Sequence, residues 1–280
     1  MGLPSTKVTF NYSDKIQINY EVRGSGQTTL LLLHGFGASL ESWRDIQPIL
    51  EAKYRLVLVD MKGFGNSSKP ADRAYSIFDQ AAIINALYKS LNLSDFVLVG
   101  HSYGGSVALA TYLTNVTSSE SSIRSLVLID APCYPQSLPF FIKALRTPVL
   151  NRISLNLTSP RTRASYILHH IFFNRQKVTS ERIERYAKYF DLPGSHDAMI
   201  ASAKQLIPED PASLSARIGE IVVPTLILWG ANDPLIFNWQ GERLHAGIRR
   251  SKLVVFKPCG HVPQEERPQD TAREIIQFIG

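Results

Sequence analysis

The chain has 280 residues, enough for one large domain or for a core carrying an insertion. Its hydrophobic content of 44% is ordinary for a globular protein and supplies a sizeable core. No apolar run approaches the ~18–20 residues that span a bilayer, and two cysteines, Cys133 and Cys259, do not make a disulfide scaffold.

The formal net charge of +6 is unevenly placed: from Tyr134 to Ser215 eleven Lys/Arg stand against six Asp/Glu. A solvated helical surface is the plain reading of this surplus, and attraction to an anionic substrate or membrane surface the sharper one. Stacking aromatics are not interleaved with the basic residues, so nucleic acid is excluded as a partner. No membrane association is expected. His169-His170 is an isolated pair without nearby thiols, so neither a metal nor a cofactor is expected.

Taken in order, the first residues, Met1 to Thr6, lack a basic n-region and a long apolar h-region, so they do not read as a signal peptide. A cytoplasmic location is expected. Gly2 with Thr6 matches the loose myristoylation pattern, and sequons such as Asn115-Val116-Thr117 read as chance. Residues 7–11 and 16–22 alternate in strand fashion and predict a leading antiparallel pair turning around Ser13-Asp14. Residues 29–33 form a continuous apolar run, as in a strand buried on both faces of a parallel sheet. They run into His34-Gly35-Phe36-Gly37, and a helix is predicted over residues 39–50, with Trp43, Ile46 and Leu50 on one face.

Residues 54–60 predict the next strand, and 76–91 a helix. Residues 96–99 are a further strand that ends at Gly100-His101-Ser102-Tyr103-Gly104, with a helix immediately after. Residues 125–130 are another buried strand. The strand–helix alternation implies an α/β fold with a largely parallel sheet. It stops between Ala131 and Ser215, where helical segments punctuated by prolines predict an inserted lid over the ligand-binding face. The core resumes with strands at 224–230 and 252–256 and helices near 237–246 and 270–279.

A strand, a one-residue corner and a helix put Ser102 on a sharp turn, with Gly100 and Gly104 where a Cβ would collide across it. The alternative is a structural turn with Ser102 as helix N-cap. A serine hydroxyl needs a base to remove its proton, and the base needs an orienting acid. His261, in a loop directly after a strand and flanked by Gly260, has the best context of the seven histidines. His101 is expected to project away from the Ser102 side chain. For the acid, Asp233 follows one strand and Asp130 another, with Asp60 at an earlier strand end. The order Ser102, Asp233, His261 is the chain order of triads on α/β-hydrolase sheets. Two backbone N–H groups are candidates to hold a developing oxyanion, that of Tyr103 after the nucleophile and that of Phe36 in the glycine-rich turn.

These segments together, His34-Gly35-Phe36-Gly37, Asp60 to Ser67, Gly100 to Gly104, Gly230 to Pro234 and Gly260-His261, resemble the α/β-hydrolase fold superfamily, in its lidded group. The resemblance implies a mostly parallel eight-stranded sheet with a helical cap inserted after the sixth strand. The core would comprise residues 1–132 and 216–280, and the cap 133–215. It further implies a triad of Ser102, Asp233 and His261, with Phe36 and Tyr103 donating to the oxyanion. Epoxide hydrolases and dehalogenases of the group carry Asp at the elbow, because alkyl attack needs a carboxylate. A serine there implies acyl chemistry on a small-molecule substrate, by a carboxylesterase-like enzyme. The runner-up is a C–C bond hydrolase of ring-cleavage dienoates, whose anionic substrate Arg161, Arg163, Arg175 or Arg185 could bind. A hydrolase-like ligand receptor or interaction protein is the alternative of a different class.

Overall fold

The computed structural model of the chain describes residues 6–116, 122–208, 210 and 212–280. Gly2, and Thr117 of the sequon, lie outside the described residues. Strands β1 (Thr6–Ser13) and β2 (Ile16–Arg23) form the leading antiparallel hairpin. Then β3 (Thr29–Leu33), helix α1 (Gln47–Glu51), β4 (Arg55–Val59), α2 (Ile77–Ser90), β5 (Phe96–His101), α3 (Tyr103–Asn115) and β6 (Ile123–Ile129) alternate. Among the described residues five α-helices intervene before the next strand: α4 (Phe140–Arg146), α5 (Pro148–Asn156), α6 (Pro160–Ile171), α7 (Ser180–Ala187) and α8 (Ser195–Lys204). The chain closes with β7 (Thr225–Gly230), α9 (Trp239–Gly247), β8 (Ser251–Phe256), α10 (Pro263–Glu266) and α11 (Pro268–Ile279).

The eight strands make one sheet in the order β1-β2-β4-β3-β5-β6-β7-β8. Pairing is antiparallel at β1–β2 and β2–β4 and parallel from β4 to β8. The leucine run of β3 shows why the centre reads as unbroken apolar sequence. Leu31 and Leu33 enter one core cluster, while Leu30 and Leu32 enter the other on the opposite face. Side chains alternate across a strand, so a strand covered on both faces must be apolar at every position.

The helix expected over residues 39–50 is instead two pieces. A 3₁₀ turn, Leu40–Trp43, precedes α1, and Pro48 sits in the first turn of α1. Proline lacks the N–H for a bond to residue 44 and its ring crowds that carbonyl, so one helix cannot run through both segments. Trp43, Ile46 and Leu50 are nevertheless all fully buried. The apolar spacing was sound, and the proline changed only how the backbone delivers it. The parallel strands point the same way, so the loops after β3, β5, β6, β7 and β8 gather at one edge of the sheet, where ligands bind in open α/β folds.

Candidate active site

Ser102 sits between β5 and α3 at φ 51° and ψ −121°. Such a conformation costs ~1–3 kcal/mol for a non-glycine residue and persists only where surroundings over-determine it. Here they do. A Cβ on Gly100 would lie 2.3 Å from the Gly104 carbonyl oxygen, and one on Gly104 would lie 2.3 Å from that of Leu33. The Ser102 N–H donates to the Ile129 carbonyl at 2.8 Å, tying the corner to β6. The hydroxyl makes no helix-capping bond. It lies 2.9 Å from Nε2 of His261 instead.

His261 Nδ1 is 2.7 Å from Oδ2 of Asp233. The other oxygen of Asp233 accepts from the N–H groups of Leu235 and Ile236 at 2.7 and 3.0 Å. Both carboxylate oxygens are thus fixed, and so is the plane in which the imidazole must lie. Ser102, His261 and Asp233 form one unbroken chain of hydrogen bonds from three different strand ends.

Phe36 follows β3 and lines the same cavity as Ser102, Tyr103 and His261. Its ring makes an edge contact with that of Tyr103, with centroids 6.2 Å apart. The peptide that carries the Phe36 N–H is oriented by His34. Nε2 of His34 accepts from the Met61 N–H at 3.0 Å, which leaves Nδ1 to donate to the Gly35 carbonyl at 2.8 Å. Burial holds the His34 pKa below the usual range, so this neutral tautomer persists. Asp60 is engaged elsewhere, accepting from the Leu40 and Asn66 N–H groups and from Asn19.

The cavity over Ser102 has a volume of about 110 Å³. Other walls come from the helices between β6 and β7, through Phe141, Ala164, Ile167, Tyr186 and Met199 among others. No lysine or arginine is among its described lining residues. None of the four arginines that could have bound an anionic substrate lines this cavity. Arg161 pairs with Glu184, and Arg185 with Asp45 at 3.2 Å. Arg163 donates to the Leu155 and Thr158 carbonyls and pairs with Asp191. Arg175 lies on a separate surface cleft with Lys257 and Asp270.

A family profile described as the alpha/beta hydrolase fold matches residues 28–268. The chain belongs to the alpha/beta hydrolase fold family. It is 26% identical over 268 residues to an uncharacterized hydrolase of Bacillus subtilis (strain 168), covering 95% of each chain. It is 27% identical over 277 residues to a 2-hydroxy-6-oxononadienedioate/2-hydroxy-6-oxononatrienedioate hydrolase of Pseudomonas putida, covering 94% of this chain and 92% of that one. Among solved structures it is similar to an esterase from Exiguobacterium antarcticum, with a TM-score of 0.81, 25% identity, and 98% and 99% of the two chains covered.

Two buried groups of this hydrolase carry more than their sequence context suggests. His101, expected to point away from Ser102, packs on the back of His261, with ring centroids 5.0 Å apart. Its Nε2 donates to the His261 carbonyl at 2.8 Å, and burial drives its pKa well below the usual range. It therefore stays neutral and holds the peptide of His261. Asp130 accepts from the Gly230 N–H at 2.9 Å. Its pKa is pushed well above the usual carboxylate range, first by burial and then by the neighbouring charge of Asp233. Burial and the neighbouring carboxylate thus both favour its protonated form. Asp130, Asp233 and His261 are the one grouping among the described residues whose potential metal-ligand atoms lie within 4.8 Å of one another. In it His261 and Asp233 are already bonded to each other, and a neutral Asp130 is a poor ligand. Among the described residues no helix is long and apolar enough to cross a membrane.

Proposed function

We propose that this alpha/beta hydrolase cleaves a carboxylic ester of an apolar acyl group through an acyl-enzyme intermediate. The observation that carries the reading is the Ser102–His261–Asp233 chain of bonds, at 2.9 and 2.7 Å, opening on an apolar cavity. Residues 133–215 act as a cap that supplies the far walls of that cavity. Ser102 attacks the ester carbonyl while His261 takes its proton. Asp233 holds the imidazole in the tautomer that presents a bare Nε2 and stabilises the imidazolium that forms. The oxyanion is held by the N–H groups of Phe36 and Tyr103. His261 then protonates the leaving alcohol, which departs. Water, deprotonated by the same His261, attacks the acyl-enzyme and releases the acid and Ser102.

The test is Ser102→Ala assayed on p-nitrophenyl butyrate. The variant should lose on the order of 10⁶ in turnover, while the native protein should turn over many equivalents. A single stoichiometric burst with tight retention of ligand would instead indicate a receptor.

The Pseudomonas putida relative favours a second reading, hydrolysis of a C–C bond in a dienoate. The same three residues could serve it, but such a substrate is anionic and the cavity lining offers no cation. A buried charge left unpaired is rejected strongly. The ester should therefore exceed a 2-hydroxy-6-oxo-dienoate in kcat/KM by at least ~10²-fold, and the reverse order would select the second reading.

A further inference from the structure

Beside the cavity over Ser102 lies a larger one, of about 280 Å³, enclosed mainly by α4 and α6, with Leu155 of α5 and Met199 of α8. The two share Phe141, Ile167, Phe190 and Met199 as a common wall. The larger chamber is otherwise lined by hydrocarbon, from Ala144, Leu145 and Leu155 among others, with Thr158, Thr162, Arg163 and Tyr166 as the residues that carry polar groups. The Thr162 hydroxyl is bonded to that of Ser159 at 2.8 Å. Arg163 is held through Nη1 by two carbonyls and through Nη2 by Asp191, while its buried Nε has no partner among the described residues. Thr158 holds Arg163 through its carbonyl. At the outer rim Phe140 and Tyr166 are 71% and 59% exposed. A chamber of this kind offers a ligand contact area rather than directional partners.

From these observations we infer that the chamber receives the hydrocarbon tail of the acyl group whose carbonyl sits at Ser102, with Phe141, Ile167, Phe190 and Met199 forming the passage between the two. This rests on the ester reading above. The small cavity beside Ser102 accommodates the reacting carbonyl and the first carbons. A longer chain has its apolar continuation on the far side of the shared wall. Methionine is the adaptable member of that wall, since its unbranched side chain repacks readily. The substrate class is thus a medium-chain aliphatic ester, because walls built almost wholly of hydrocarbon favour an apolar tail by the area it buries.

Binding by the Ser102→Ala protein tests this without turnover, with methyl butyrate and methyl decanoate as probes in calorimetry. Affinity should rise about fourfold per methylene until the chamber is full. Ala144→Phe in the same background fills the chamber from α4, and Thr162→Phe fills it from α6. Either should remove most of the preference for decanoate over butyrate. The readout is a ratio of affinities within one protein, so a general loss of folded material cannot imitate it. Equal binding of the two esters, or a preference untouched by both fillings, would overturn the chamber. Turnover by the native protein separates the two ideas. If methyl butyrate is hydrolysed and no chain-length preference exists, only the chamber falls. If decanoate is preferred in binding but neither ester is hydrolysed, the ester reading falls and the chamber stands.

Discussion

Helices α6–α7 and helices α4–α5 all lie between β6 and β7, yet they meet the rest of the chain in opposite ways. The first pair is clamped by two consecutive buried glutamates on α10, just after His261. Glu266 accepts from the N–H groups of Phe173 and Asn174 beyond α6 and from that of Gly260 in the histidine loop, at 2.9, 3.1 and 3.1 Å. Glu265 accepts from Arg182 of α7 at 2.6 Å and from the Tyr186 hydroxyl. Arg182 also pairs with Asp45 at 2.7 Å. The N–H of His261 itself donates to the Ile171 carbonyl at the end of α6, at 2.9 Å. By contrast, no ion pair among the described residues joins α4 or α5 to the sheet domain. These helices expose Phe140, Val149 and Leu150, with Leu157 just beyond. The first pair is thus bonded to the histidine loop, whereas α4 and α5, together with the outer face of α6, line the chamber proposed for the acyl tail.

The largest effect should come at the base that the clamped half supports. Asp233→Asn should lose on the order of 10⁴ in kcat with the fold intact, whereas Asp130→Asn should keep most activity. Equal losses in the two, read by steady-state kinetics, would remove the distinction between orienting acid and neutral neighbour.

The clamp comes next. Glu265→Ala leaves buried Arg182 and Tyr186 without their shared partner and should cost about 3–5 kcal/mol, read by urea denaturation. Activity should fall as the His261 loop loosens, and a loss near zero would show that the clamp is not what holds α7.

A smaller effect is expected at Asp130, whose proton is held by burial and by Asp233. Its pKa is raised in the folded state, so the folded protein binds more protons than the unfolded chain above the ordinary carboxylate range. Its contribution is therefore fully present below the unfolded value and is lost as pH rises toward the folded one. Asp130→Asn cannot ionise, so its Tm should fall less between pH 5 and pH 9, on the order of those bounds. A steeper fall in the variant would reverse the assignment.

The smallest effect belongs to the outer half. Phe140→Ser should change stability by no more than ~0.5 kcal/mol, as expected of an exposed position. A loss as large as that of Glu265→Ala would show that α4 is anchored after all.

The features legible in the sequence are those that local sterics impose. Buried strands had to be apolar at every position, and the corner at Ser102 had to have Gly100 and Gly104 on either side. The meeting of Ser102, Asp233 and His261 could be inferred because each follows a strand of one parallel sheet, so direction alone brings their loops together. Glu265 and Glu266 gave no such sign. Two glutamates in the single turn of a short helix carry no local sign of burial, and only the folded chain brings α6 and α7 onto them. The neutral state of Asp130 depends on a carboxylate about 100 residues away in sequence, so no local pattern announces it. The chamber between α4, α5 and α6 is likewise a property of packing angles. His34 is the intermediate case: its place beside Gly35 was visible, but its orienting bond needed Met61.

The bond from the His261 N–H to the Ile171 carbonyl divides the insertion into a part that can be exchanged and a part that cannot. Everything from α4 to the start of α6 can be replaced by another hydrocarbon-lined segment without touching a bond that reaches the reacting groups. A graft that extends past Ile171 would replace the residue whose carbonyl holds the His261 backbone N–H. In a search for variants with new specificities, the productive crossover point is therefore in the turns of α6 before Ile171, and recombination beyond it should yield folded proteins that have lost their chemistry.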